Sequence, residues 1–173
     1  MIKIDKYSFG VGDRFAHEGV AQLKALIKAE QEFGVHFVPV WNKSNREHQI
    51  VHTVPMETRK EADAAVAALG YTGQYFVDAD HINLNNVDGF IEASDFFTLD
   101  VADYIGEKAP AADIDAFLEA NKRFIGKVEI PGIAEPFEVT EAQAREIAER
   151  YLFAVQEAGR IYRHIAEKKG EGT

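Results

Sequence analysis

The sequence predicts an α/β fold assembled from parallel β/α units. Short apolar runs alternate with segments whose apolar residues recur at helical spacing. The run at residues 35–41 is almost continuously apolar, as expected for a strand buried on both faces of a parallel sheet. Polar residues follow each run directly, and functional groups of parallel α/β folds lie at that end of the strands.

The first two units occupy the N-terminal part of the chain. Residues 7–12 are predicted as the first strand, and residues 20–29 as the helix that follows it. Residues 35–41 form the second predicted strand, although Pro39 removes a hydrogen-bond donor from it. An alanine-rich helix at residues 57–69 completes the second unit.

The later elements follow the same alternation. They are predicted as a strand at 75–77, a short helix at 85–94, a strand at 96–99 and a helix at 110–124. Proline and glycine favour a loop over residues 126–139. Thr140 and Gln143 have the spacing of a capping box and predict the start of a long helix that runs to about Lys168.

The order of these elements, βαβαβαβα, implies a parallel sheet with right-handed crossovers. Four such units make half of an eight-fold barrel, and a complete barrel takes ~250 residues. With its 173 residues, the chain is expected to hold about the first four units of a (β/α)8 TIM-type barrel. We therefore expect residues 1–173 to form a single partial barrel domain, with the C-terminal half of the barrel missing.

Composition restricts the classes of partner and compartment. The net charge of −10 argues against nucleic acid or an anionic membrane as the main partner, without excluding a small anionic substrate. No apolar run approaches the ~20 residues that span a bilayer, and the N-terminal residues lack the apolar region of a secretory signal. The absence of cysteine excludes disulfides and thiolate chemistry. We expect a cytoplasmic protein.

Polar side chains cluster after all four predicted strands, and in a parallel barrel they would share one rim. They are Asp13 and Arg14, then Asn42, Lys43, Arg46, Glu47 and His48, then Asp78, Asp80 and His81, and finally Asp100 and Asp103. A neutral imidazole is a good ligand for a divalent metal, and neighbouring carboxylates complete the coordination or orient the ring. Lys43 and Arg46 add positive charge that suits a carboxylate substrate.

Each of these residues also has a purely structural interpretation. His81 would be a capping or core histidine, and Asp78 and Asp80 would cap the following turn. Arg46 and Glu47 would form a solvated ion pair that contributes little to stability. The first strand carries only a GxG pattern, so a dinucleotide fingerprint is unsupported, and the sequence has no serine or cysteine nucleophile motif.

Five motifs, in the same order along the chain, resemble the tagaturonate epimerase family. They are FGVGDR at 9–14, PVWNKS at 39–44, REH at 46–48, VDADHI at 77–82 and DFFTLDVADYIG at 95–106. Residues 151–165 resemble the same family, so the resemblance covers nearly the whole chain from about Tyr7. Members of the family are longer, and their further motifs include histidines that are expected to share a metal with His81.

The resemblance implies a metal-dependent barrel enzyme that interconverts D-tagaturonate and D-fructuronate, a small uronate substrate pair, in hexuronate breakdown. On this basis His81 is the expected metal ligand, and zinc, manganese, iron or nickel would suit it alike. Glu47 or His48 is the expected proton-transfer residue, and the residue types do not decide between them. The expected substrate-binding residues are Asn42, Lys43, Arg46, Asp78 and Asp80.

Two alternatives stay open at this point. Another metal-dependent sugar or keto-acid aldolase or isomerase would use the same rim but prefer a phosphorylated substrate, and comparing turnover of uronates with that of phosphosugars separates the two. An inactive half-barrel would associate with itself or with another chain through the unpaired edges of an open sheet, and its solution mass would reveal this.

Overall fold

The computed structural model describes residues 3–170, and its first four strands form one parallel sheet. In spatial order, the strands are β1 (Ser8–Gly12), β2 (Val38–Ser44), β3 (Phe76–Ile82) and β4 (Phe96–Leu99). The register pairs Gly12 with Asn42, Asn42 with Asp78, and Asp78 with Phe96. The predicted parallel α/β fold is therefore confirmed, whereas closure into a barrel stays a prediction.

Helices cover one face of this sheet. They are α1 (Gly19–Phe33), the short α2 (Asn45–Val51) and α3 (Pro55–Leu69). Strand and helix residues meet in a core cluster of Val11, Leu23, Trp41, Ala62, Ala65 and Val77. We call this side the helix face. Because side chains alternate along a strand, residues such as Asn42 and Asp78 lie on the opposite side, which we call the groove face.

Several boundaries predicted from the sequence are wrong, and the ends of β2 and β3 are wrong because polar side chains continue both strands. β2 begins at Val38 and continues through Ser44, and β3 continues through Ile82. Asp78, Asp80 and His81 therefore lie within β3 and not after it. The predicted helix at 85–94 is reduced to a 3-10 turn at Val87–Gly89.

Helix α2 was not predicted, although its start signal is present in the sequence. The Glu47 amide donates to Ser44 Oγ at 3.3 Å, and the Ser44 amide donates to Glu47 Oε2 at 3.1 Å. These two bonds form a capping box, which satisfies two amides that a helix start would otherwise leave unpaired. The polar run after Trp41 is thus half strand and half helix.

An ion pair ties α3 to the segment between β3 and β4. The Arg59 guanidinium donates to the Asp95 carboxylate, and its Nε donates to the Ala93 carbonyl oxygen at 2.9 Å. Asp95 Oδ2 also accepts the Val77 amide of β3 at 2.9 Å. All of these groups are partly buried, so one guanidinium and one carboxylate hold a helix, a loop and a strand together.

Residues from Val101 to Arg160 form a second compact unit. Its elements are α4 (Ala111–Ala120), β5 (Gly126–Val128), β6 (Phe137–Val139) and the first part of α5 (Glu141–Lys169). β5 and β6 pair as an antiparallel hairpin where a loop was predicted. The predicted capping box is confirmed: Thr140 and Gln143 exchange bonds of 2.9 and 3.2 Å at the start of α5. None of the helices described within residues 3–170 is long and apolar enough to cross a membrane.

Candidate active site

A groove of about 500 Å³ lies on the groove face of the sheet. Its lining includes Gly10, Asn42, Asp78, Phe96, Phe97 and Thr98. Below the polar residues, a small apolar cluster of Val38, Val40 and Phe76 supports the sheet, and Phe76 stacks on Phe96 with ring centroids 4.9 Å apart. The groove therefore offers hydrogen-bonding groups above an apolar floor, an arrangement common in small-molecule sites.

Asp78 is the ionisable group at the centre of the groove. Thr98 Oγ1 donates to its carboxylate, at 2.9 Å from Oδ2 and 3.1 Å from Oδ1. Burial raises the pKa of Asp78, the Thr98 hydrogen bond opposes that rise, and the negative charge of Asp80 adds to it. Asp78 can accept hydrogen bonds from hydroxyl groups, and it takes up a proton more readily than an exposed aspartate.

Asp80 and His81 form a hydrogen-bonded pair where β3 ends. His81 Nδ1 lies 2.7 Å from Asp80 Oδ1, and the imidazole is mostly exposed. His81 has a φ of 55°, a left-handed conformation that is uncommon for residues other than glycine. The pairing of β3 with β4 shifts register at the same place, between Ala79 and Ile82. Such irregularities in strands re-aim side chains and concentrate near active sites.

Lys43 and His48 lie away from the groove, in a buried polar cluster on the helix face. Only 2% of Lys43 and 3% of His48 is exposed. Thr53 Oγ1 bridges them, since it accepts from Lys43 Nζ at 2.9 Å and lies 2.9 Å from His48 Nδ1. Burial, together with the Lys43 charge, lowers the pKa of His48 to about 4, so the imidazole is neutral near pH 7.

Glu47 and Arg46 lie in the first turn of α2. Arg46 is exposed, and Glu47 lies 3.6 Å from Arg14, which follows β1. Partial burial of Glu47 opposes ionisation, but the hydrogen bonds from Ser44 and the charge of Arg14 prevail and lower the pKa of its carboxyl group. Glu47 is therefore a carboxylate that caps a helix and pairs with a neighbouring cation.

The described residues supply only some of the donors that a divalent metal requires. Within residues 3–170, no three histidine, aspartate or glutamate side chains are grouped so that they could hold a metal ion. The Asp80–His81 pair supplies two donors of suitable type, and a carboxylate at Nδ1 orients a histidine so that its other ring nitrogen can bind a metal. The described residues thus fit part of a metal site.

The structure divides the predicted site residues into three groups. Asn42 and Asp78 share the groove, and Asp80 and His81 form the pair where β3 ends. The remaining four lie in α2 or on the helix face, and they are Lys43, Arg46, Glu47 and His48. Sequence reasoning missed Thr98 and Thr53. Phe96 of β4 is the register partner of Asp78 in β3, and Thr98 lies two residues further along β4. Because side chains alternate along a strand, Thr98 is on the same face as Phe96 and therefore close to Asp78.

By its fold and its site, the chain is a parallel α/β protein with a polar groove on one face of its sheet. A family model described as UxaE, tagaturonate epimerase, matches residues 1–172, and the chain belongs to that family. No curated protein matches the chain.

The fold is similar to solved structures of fructuronate-tagaturonate epimerase UxaE from Cohnella laeviribosi. The native crystal structure is 20% identical with a TM-score of 0.73, and a glycerol-complexed structure is 19% identical with a TM-score of 0.72. Each match covers 95% of this chain and 35% of the solved chain. At this identity the likeness concerns the fold, and the chain spans about a third of the length of the solved relatives.

Proposed function

We propose that this chain is part of a metal-dependent epimerase that interconverts D-tagaturonate and D-fructuronate by retro-aldol cleavage and re-addition. The observation that carries the proposal is the match of the family over residues 1–172. The polar groove supports it independently, because a carboxylate, an amide and a hydroxyl on an apolar floor suit a sugar-derived substrate.

The chemistry follows from the two substrates. They differ in configuration at C3, counted from the carboxylate, whereas the ketone is at C5. Enolisation next to the ketone cannot invert C3. Removal of the C3 hydroxyl proton allows the C3–C4 bond to break, with its electron pair forming the enolate at C4 and C5. The aldehyde carbon C3 then rotates, C4 adds to its opposite face, and the C3 oxygen recovers a proton.

Asn42 and Asp78 are the residues that we assign to the substrate hydroxyls, since both line the groove. Arg46 is the cation that we assign to the substrate carboxylate, because it is exposed in the first turn of α2. Lys43 could join it only by leaving Thr53, since its ammonium group is otherwise buried on the helix face.

Glu47 is the residue that we assign to proton transfer at the C3 oxygen. It is ionised near neutral pH and partly exposed, whereas His48 is almost fully buried behind the sheet and is a weak base. The salt bridge to Arg14 would have to loosen as Glu47 accepts a proton. This is feasible because the pair is separated by 3.6 Å and is partly solvated.

His81 and Asp80 are the residues that we assign to the metal and its orientation. A divalent cation held there would supply Lewis-acid stabilisation of negative charge on the ketone oxygen. His81 would contribute its imidazole, and Asp80 would hold the ring through Nδ1, 2.7 Å away. The remaining donors are expected from parts of the epimerase other than the described residues.

Calorimetric titration of the chain with Mn²⁺ and Zn²⁺ tests the metal assignment. We expect binding that weakens by about tenfold or more in His81→Ala. His17→Ala, which removes another exposed histidine, is the matched control and should bind like the unaltered chain. Equal binding by His81→Ala and the unaltered chain would contradict the assignment.

Isotope retention tests the reaction, using the Cohnella laeviribosi epimerase beside this chain. D-tagaturonate with deuterium at C3 should give D-fructuronate that keeps the label, because retro-aldol cleavage never breaks the C3–H bond. Exchange of the label with water during turnover would instead indicate proton abstraction at C3, and the retro-aldol proposal would fail.

A further inference from the structure

Three side chains from three neighbouring strands form a row across the groove face. Asn42 of β2 and Asp78 of β3 are register partners, and Thr98 of β4 donates its hydroxyl hydrogen to Asp78. We call these three residues the hydroxyl row. Because the Thr98 hydrogen is used by Asp78, the lone pairs of its oxygen stay available to accept a hydrogen bond from a ligand.

Glycines in β1 give Asn42 its place in the row. A Cβ atom at Gly12 would lie 2.5 Å from Asn42 Oδ1, and one at Gly10 would lie 3.6 Å from Asn42 Nδ2. The carboxamide therefore lies over β1 in space that a side chain at residue 12 would fill. Within residues 3–170 the carboxamide makes no hydrogen bond, so its donors and its acceptor are available to a bound molecule.

The charge of the groove selects against a carboxylate at this position. The described lining contains no lysine, arginine or histidine, and since Asp95 is paired with Arg59, Asp78 is its one carboxylate without a cationic partner. An anionic group would meet like charge there, whereas a hydroxyl group can donate to Asp78 and accept from Asn42. Phe96 and Phe97 line the same groove and offer apolar surface to the C–H groups of a sugar chain.

We propose that the hydroxyl row binds the neutral, hydroxyl-bearing end of the substrate, with its carboxylate outside the groove, and that Thr98 positions Asp78 for this contact. The inference rests on the proposed function, which it deepens by assigning a subsite and a further residue. The partial burial of Asp78 supports it, because hydrogen bonds to a partly desolvated carboxylate are stronger than those in open water.

The test is an NMR titration of the 173-residue chain, observed at the Asn42 side-chain amide, with three probes. D-fructuronate carries hydroxyls and a carboxylate, D-fructose carries hydroxyls alone, and glutarate carries carboxylates alone. Thr98→Val removes the hydroxyl at nearly constant volume, and Thr98→Ser restores it. Thr72→Val changes an exposed threonine away from the groove and is the matched control. Urea unfolding of each variant separates loss of binding from loss of folding.

We expect both sugars, and not glutarate, to shift the Asn42 signals. Binding of both sugars should weaken about fivefold to tenfold in Thr98→Val and recover to within about twofold in Thr98→Ser. Equal sugar binding by Thr98→Val and the unaltered chain, shifts induced by glutarate, or no sugar binding at high millimolar concentration would each overturn the inference. Equal affinity for D-fructose and D-fructuronate, with both lost in Thr98→Val, would support the row and contradict the assignment of Arg46 to the substrate carboxylate.

Discussion

Replacing His48 should make the protein more resistant to acid. The imidazole is buried between the Lys43–Thr53 hydrogen bond and the ring of Phe90, whose centroid is 5.8 Å away. Its Nε2 is fully buried without a hydrogen-bond partner among the described residues. A proton added to this ring would place a second positive charge beside Lys43 in a desolvated site, so the folded state disfavours the charged imidazole.

The magnitude follows from the pKa of His48, which falls from about 6.5 in the unfolded chain to about 4 in the folded one. Because the folded pKa is the lower one, the unfolded state binds more protons between these values, and stability falls as the pH falls. Above the unfolded pKa this effect is absent. At a pH near 4.5 it amounts to about 2–3 kcal/mol.

The assay is urea unfolding, followed by fluorescence of Trp41, the single tryptophan and a buried core residue. When the pH is lowered from ~7.5 to ~4.5, the free energy of unfolding of His48→Gln should fall by about 2–3 kcal/mol less than that of the unaltered chain. His17→Gln, which removes an exposed imidazole, is the matched control. The reasoning would be refuted if the free energy of unfolding depended on pH in the same way for His48→Gln and the unaltered chain. An NMR titration of His48 with a midpoint near 6.5 would refute it as well.

Three further predictions concern the framework of the groove. Arg59→Met should lower the free energy of unfolding by about 2–4 kcal/mol, because it leaves the partly buried carboxylate of Asp95 unpaired. Urea denaturation measures this loss, and Lys60→Met, which changes an exposed residue of the same helix, is the control that should change little. Ser44→Ala should cost about 1 kcal/mol by removing the α2 cap, and a loss below the error of chemical denaturation would contradict that role. Gly12→Ala should displace Asn42, so that D-fructuronate binding in the NMR titration weakens while the unfolding midpoint changes little; unchanged binding would mean that the amide does not contact the ligand.

The sheet was predictable because hydrophobic burial dominates its pattern. The order of the four strands and of α1 and α3 follows from the spacing of apolar residues, which the packing of the core requires. The predicted boundary of β2 stops at Trp41, because the chain turns polar after it and Lys43 is expected at the rim as a substrate-binding residue. In the structure its long stem lies against the helix face and its ammonium group reaches Thr53.

The candidate site was predictable in residue type but not in arrangement. Proximity in sequence placed Asn42, Lys43 and His48 together, whereas the pleat of β2 and the start of α2 send their side chains to different faces. The partnership of Asp78 with Thr98 joins residues 20 positions apart, so it depends on strand register. Short strands such as β5 and β6 carry too few residues to leave a detectable period.

The pleat of β2 also has an evolutionary consequence. Asn42 points into the groove, while Trp41 and Lys43 on either side of it point into the packed layer. A point substitution at residue 42 can therefore change what the groove binds without opening the core. Insertion or deletion of one residue within β2 would exchange the two sets of side chains and damage both. In such a sheet, single substitutions on the groove face can change ligand preference, whereas insertions and deletions are tolerated only in the loops.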